Sequence, residues 1–189
     1  VFDTGGTRVG VSRSGCTGEH GVEISVPAEA AEGFARALLA LPGVKPAGLG
    51  ARDSLRLEAG LCLYGNDLDE TTSPVEANLV WTIGKRRRTA WDFLGAERVR
   101  TELDNGPSRK RVGIRPEGRQ PARAHTPVRA PCGFACGEVT SGGFGPSVNG
   151  PVAMGYVVAM AAADGTRIEL IVRDKLLPAQ VAPLPFIPH

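Results

Sequence analysis

The spacing of hydrophobic and polar residues changes near the middle of the chain. In the first part, residues 7–12 and 21–26 read as short strands, and a glycine-rich turn over residues 14–18 joins them. We expect several residues of this turn to adopt a positive φ, which glycine does without steric cost. These segments predict a β-hairpin with a long, glycine-rich loop.

Helical spacing follows the hairpin. Residues 27–41 place Phe34, Leu38 and Leu41 on one face, with Pro27 suited to the first turn. Residues 52–59 predict a shorter helix ended by Gly60, with Leu55 and Ala59 facing the core and Arg52 and Arg56 on another side. A further helix is predicted over residues 96–103.

The clearest helix start signal is Ser73-Pro74-Val75-Glu76, a capping box with proline at the first helical position. Val75, Leu79 and Ile83 then form an apolar stripe. The pattern predicts a helix from this box up to Gly84.

After Pro107, short alternating runs such as 111–114 and 167–172 are separated by turns rich in glycine and proline. This pattern of short alternating runs and turns predicts a small antiparallel β-barrel or sandwich. We place a domain boundary near residue 106, which gives domains 1–106 and 107–189 in an α+β chain.

The composition is that of a globular protein, and it excludes few classes of function. Hydrophobic residues make up 42% of it, and 22 basic against 20 acidic residues leave a net charge of +2, which does not favour a nucleic-acid partner. No apolar run approaches the roughly 18 residues that span a bilayer. Cys132, Cys136 and His125 lack the spacing and the fourth ligand of common zinc sites, so we predict reduced thiols and no metal.

Three residues are candidates for ligand binding. Glu23 follows the glycine-rich turn, and its carboxylate suits the paired N–H donors of a pterin-like ring; the alternative is a solvent-facing strand residue. Arg52 offers a planar fork of donors for a ligand carboxylate or carbonyl, or else pairs with Asp53 or Glu58. Tyr64 either lines a cleft or packs in the core.

Two charged runs have competing interpretations. Residues 66–70 lack the full calcium-loop pattern and are predicted to be a solvated loop. The basic run Lys85, Arg86, Arg87 and Arg88 is predicted to follow a helix C-terminus, and it forms either a docking surface for an acidic protein or a solvated run. His20 and His125 have no neighbouring nucleophile, and no phosphate-binding glycine motif is present.

Several motifs, in the same order, resemble those of aminomethyltransferase, the T-protein of the glycine cleavage system, and most closely its mitochondrial members. They occupy nearly the whole chain, at residues 15–25, 48–70, 73–76, 83–88, 137–142, 153–157 and 184–188. The resemblance implies the C-terminal part of an α/β folate-binding domain followed by a β-barrel.

The resemblance also implies an activity and a location. The family transfers the one-carbon unit of an aminomethyl group from the dihydrolipoyl arm of H-protein to tetrahydrofolate, releasing ammonia and forming 5,10-methylenetetrahydrofolate. Glu23 and Arg52 match folate-binding positions, and Tyr64 matches a cavity-lining one. The family's catalytic Asp lies upstream of these residues, so no catalytic residue is expected here, and the 189-residue chain is expected to be an inactive fragment. The implied location is the mitochondrial matrix, or the cytoplasm of a bacterium.

Some positions depart from the family pattern. Cys16 replaces an aromatic residue, Asn149 and Gly150 replace two lysines, and the chain ends at His189 without the usual tail. Two other interpretations stay open: the folate-binding half of a dimethylglycine or sarcosine dehydrogenase, and a non-catalytic module that binds folate or H-protein.

Overall fold

The structure is a computed structural model that describes residues 2–4 and 6–188. The chain divides into two compact units, the first ending at Arg56 and the second running from Leu57 to Pro188. Each unit is described by itself.

The first unit contains a three-stranded antiparallel sheet in the order β1-β2-β3. The strands are β1 (Phe2–Thr4), β2 (Thr7–Ser12) and β3 (Glu23–Ser25). The predicted hairpin is confirmed, since Ser12 pairs with Glu23 and Gly10 with Ser25. Its second strand is shorter than predicted, and of residues 14–18 only Gly18 has a positive φ, whereas several were expected.

Two helices follow the sheet. A 3-10 turn (Ala28–Ala30) leads into α1 (Ala31–Leu39), and α2 covers Leu49–Glu58. Gly60, at φ 68°, lies just beyond the end of α2, as predicted for a C-terminal glycine. Arg56 was predicted to lie with Arg52 on a different side from the core-facing residues, but it is buried at 3% exposure, where it forms an ion pair with Asp53 at 2.7 Å.

The predicted helix after the capping box is wrong. The box itself forms, because Ser73 N–H donates to Glu76 Oε2 and Glu76 N–H to Ser73 Oγ, both at 3.1 Å. The next helical carbonyls are taken by the barrel: Arg111 donates its N–H to Glu76 O at 2.7 Å and its Nε to Ala77 O at 2.8 Å. Asn78 then turns to φ 58°, which ends the helical turn.

A 3-10 turn (Val80–Thr82) and two short helices connect this turn to the barrel. These helices are α3 (Lys85–Ala90) and α4 (Ala96–Asn105). The prediction of α4 is confirmed, with two further residues at its C-terminus. The basic run was predicted to follow a helix C-terminus; instead it begins α3, directly after Gly84.

The rest of the second unit is a closed antiparallel barrel in the order β4-β7-β6-β5-β8-β9, with β9 pairing back onto β4. Its strands are β4 (Arg109–Pro116), β5 (Pro127–Arg129), β6 (Ala135–Gly145), β7 (Gly150–Val158), β8 (Arg167–Val172) and β9 (Lys175–Ala182). A 3-10 turn (Ala159–Ala161) follows β7. The predicted barrel and the α+β class are confirmed, and the boundary near residue 106 stays a proposal.

Strand β7 is buried on both of its faces. Ala153 and Val157 belong to the barrel interior, whereas Val152 and Met154 pack in a second cluster with Leu57 and Phe186. Burial on both sides explains why residues 151–157 read as a continuous apolar run rather than an alternating one. Among the described residues, no helix has the length and apolar character needed to cross a bilayer.

Candidate functional site

Glu23 lies at the base of the hairpin loop in the first unit. Ser14 Oγ donates to its Oε2 at 2.5 Å, which fixes the carboxylate across the loop. Its other oxygen, Oε1, accepts no hydrogen bond from the part of the chain that the structure describes. Glu23 is exposed, so this side chain is a positioned carboxylate with one oxygen available to a ligand.

Arg52 lies in the first turns of α2, and its side chain is exposed. The ion pairs considered as alternatives are not seen: Asp53 pairs with Arg56, and Glu58 Oε1 accepts the backbone N–H groups of Ser147 and Val148 at 2.7 and 3.0 Å. Within the described residues, the Arg52 guanidinium has no hydrogen-bond or ion-pair partner. It offers a full fork of donors to an oxygen acceptor.

Tyr64 belongs to the second unit and is 70% exposed, which rules out the core-packing alternative. A bridge to Leu68 and a bond from Gly65 N–H to Leu68 O at 2.8 Å close its loop. The ring is therefore presented to solvent by a closed backbone turn.

Asp67 anchors the Tyr64 loop to the barrel, and the sequence did not reveal this role. Its side chain is 1% exposed and accepts hydrogen bonds from Thr140 Oγ1 at 2.5 Å and from Ser141 Oγ at 2.9 Å. The Tyr156 hydroxyl donates to Asp67 O at 2.8 Å, and burial raises the pKa of Tyr156, which keeps the donor protonated. The prediction of a solvated loop over residues 66–70 is wrong at this position.

The basic run has two kinds of cation. Arg86 and Arg87 bind the two carboxylate oxygens of Asp92 at 2.9 and 2.7 Å. The hydrogen bond from Arg87, and to a smaller extent that from Arg86, lowers the pKa of Asp92. Lys85 and Arg88 are exposed and have no side-chain ion pair within the described residues. Two of the four cations thus hold a local structure, and two are available to a partner.

The remaining chemical candidates stay peripheral. His125 Nδ1 lies 3.0 Å from Glu138 Oε1, and both His20 and His125 are exposed. All four cysteines are free thiols, and burial raises the pKa of Cys136. In the described part of the chain, no three His, Cys, Asp or Glu side chains are grouped to hold a metal ion.

Comparison with known proteins decides the family. Residues 1–87 match the GCVT N-terminal domain, and residues 109–187 match the glycine cleavage T-protein C-terminal barrel domain. The chain belongs to the glycine cleavage T-protein family. It is 54% identical to the mitochondrial aminomethyltransferase of Gallus gallus over 188 residues, and 53% identical to that of Homo sapiens, covering 100% of this chain in both cases.

A solved structure agrees with the T-protein fold. The crystal structure of glycine cleavage system aminomethyltransferase T from Bartonella henselae superimposes with a TM-score of 0.90 at 47% identity, covering 95% of this chain and 50% of that one. The chain spans about half the length of its relatives, 47% for the Gallus gallus protein and 46% for the human one. The roles of Glu23, Arg52, Tyr64 and the basic run stay predictions.

Proposed function

We propose that this T-protein chain acts in tetrahydrofolate-dependent aminomethyl transfer in the glycine cleavage system. The reaction moves the one-carbon unit of an aminomethyl group, held on the dihydrolipoyl arm of H-protein, to tetrahydrofolate; ammonia leaves and 5,10-methylenetetrahydrofolate forms. The mitochondrial names of relatives about 50% identical support a mitochondrial location, and we propose the matrix.

The main support for the proposal is that one carboxylate oxygen of Glu23 and the guanidinium of Arg52 have no partner among the described residues. A Glu with one positioned free oxygen suits the paired N–H donors of a pterin ring, and an unpaired Arg suits an acceptor oxygen of the same ligand. Both residues therefore fit tetrahydrofolate. Their role is to hold the ring so that N5 faces the carbon being transferred, a positioning effect that contributes several kcal/mol, on the order of 7 in well-oriented systems.

Tyr64 and the basic run complete the proposal. The exposed Tyr64 ring supplies an apolar face with a wet hydroxyl, which suits a cavity wall. Lys85 and Arg88, helped by Arg86 and Arg87, provide a docking surface for an acidic face of lipoylated H-protein.

Tetrahydrofolate binding to the 189-residue chain tests these assignments. Isothermal titration of Glu23→Gln and Arg52→Gln is expected to show an affinity about tenfold lower than that of the parent chain, the usual loss for a hydrogen bond to a charged group. Glu29→Gln, an exposed carboxylate without a side-chain bond in the described structure, serves as the control. Equal affinity for all variants would refute the assigned roles.

A further inference from the structure

One cavity of the barrel unit is lined by two arginines and a histidine, and one of the arginines and the histidine have a positive φ. It has a volume of about 510 Å³ and lies between the segment before β5 and the turn from β8 to β9. Arg123, His125 and Arg173 line it, and none of its described lining residues is acidic. His125 and Arg173 have φ of 65° and 51°, a region that side chains with a Cβ rarely adopt.

Arg173 occupies a position where another residue type folds more easily. Strands β8 and β9 pair as far as Val172 and Lys175, so Arg173 and Asp174 form a two-residue turn, with φ of 51° and 62°. Turns of this kind favour Asn-Gly, because both central residues need positive φ. The Arg173 guanidinium makes no hydrogen bond or ion pair within the part of the chain that the structure describes. Its own contacts therefore do not account for an arginine at this position.

His125 and Arg123 each make a side-chain contact in the barrel unit. His125 donates its backbone N–H to Val139 O at 2.8 Å, and its Nδ1 lies 3.0 Å from Glu138 Oε1. Arg123 Nη1 donates to Gly142 O at 3.3 Å. A strained backbone conformation at a non-glycine residue persists only where the surrounding structure fixes it. Such residues cluster at ligand sites.

We propose that this cavity binds a small organic oxyanion, a carboxylate or a phosphate, through Arg123, His125 and Arg173. Ile171, Val172 and Pro127 add an apolar wall for the carbon part of the ligand. The volume lies within the range of small-molecule sites, which is roughly 300 to 1,000 Å³. The proposal does not rest on the transferase function, and its test uses no transferase assay.

The test is an NMR titration of the isotopically labelled 189-residue chain at constant ionic strength. Inorganic phosphate and glutarate are added in separate experiments. We expect saturable shifts confined to residues 120–127 and 171–173, and the probe that binds more tightly identifies the ligand class. Arg173→Gly and Arg123→Gln should each weaken that binding roughly tenfold. Lys175→Gln removes a cation of the same hairpin that does not line the cavity, so it should leave the binding unchanged.

Thermal melting separates lost binding from lost structure. Glycine suits the positive φ of residue 173, so Arg173→Gly should melt at a higher temperature than the parent chain while binding the anion less well. Shifts that rise linearly without saturation for both probes would overturn the proposal. Equal weakening by Lys175→Gln and Arg173→Gly would also overturn it, since it would indicate a general charge effect.

Discussion

At the scale of single residues, Asp67 has a structural role that local sequence patterns do not reveal. Its side-chain partners Thr140 and Ser141 lie 73 and 74 residues further along the chain, so no local pattern connects them. By contrast, Glu23 and Arg52 are predicted from local motifs, and their neighbours in sequence form the loop and the helix that present them; their ligand-binding roles stay predictions. Long-range polar contacts are the part of a candidate site that local patterns do not contain.

Replacing Asp67 should therefore destabilise the second unit. Asp67→Ala removes an acceptor from Thr140, Ser141 and the Leu63 N–H, and we expect a loss of about 3 kcal/mol in the free energy of unfolding. Urea denaturation measures the change. Glu70→Ala, an exposed neighbour, is the control and should leave the midpoint unchanged. An unaltered midpoint for Asp67→Ala would show that the anchor is not formed.

Asp69 should titrate at an unusually low pH. Hydrogen bonds from the Thr71 and Thr72 hydroxyls and from the Thr71 N–H lower its pKa from 3.8 to about 2. Because the folded-state pKa is depressed, the stabilising contribution is present above pH 3.8 and is lost as the pH falls through about 2. NMR titration of the carboxyl carbon measures the pKa, and Thr71→Ala should raise it. A carboxyl that titrates near 3.8 in the parent chain would contradict this account.

At the scale of elements, short-range patterns predicted the hairpin, α1, α2, α4 and strand β8. They failed over residues 73–84, where capping-box bonds form but Arg111 takes the carbonyls that a helix would use. They also misplaced the basic run, because cations are disfavoured at a helix N-terminus and ordinarily mark its other end. Over residues 73–84 a contact distant in sequence therefore overrides local preference, whereas Arg86 and Arg87 of the basic run pair with Asp92 only five or six residues away.

Strand β7 should not tolerate a side chain at Gly155. A Cβ there would lie well inside contact distance of the Glu138 carbonyl oxygen, which belongs to the neighbouring strand β6. Gly155→Ala should therefore lower the free energy of unfolding by about 2 kcal/mol or more, as overpacking typically does.

Gly150→Ala is the matched control for this substitution. A Cβ at Gly150 meets only Val148 O, at an ordinary contact distance of 3.8 Å. Thermal or urea denaturation compares the two variants. Equal stability would contradict the described packing of β7 on β6.

At the scale of the whole molecule, the sequence predicted a barrel but not its strand order. The order β4-β7-β6-β5-β8-β9 depends on β4 pairing with both β7 and β9, which are distant in sequence. The periodicity of a strand shows which face is buried, but it does not show which neighbour the strand selects. Periodicity alone predicted either a barrel or a sandwich, and the family motifs favoured the barrel.

The docking proposal predicts a salt-dependent association with lipoylated H-protein. The double variant Lys85→Gln/Arg88→Gln removes the two cations without local ion pairs, and it should slow association about tenfold at low ionic strength, with a smaller effect at high salt. Stopped-flow or surface-based kinetics measures the rate, and Lys175→Gln is the control. Rates that do not change at any salt concentration would remove the basic run from the interface.

Direct product analysis tests the proposed aminomethyl transfer to tetrahydrofolate. The native protein is purified from its source and incubated with aminomethylated H-protein and tetrahydrofolate, and both products are quantified. We expect equal amounts of 5,10-methylenetetrahydrofolate and ammonia. Aminomethylated H-protein that remains unconsumed, with no methylenetetrahydrofolate formed, would contradict it.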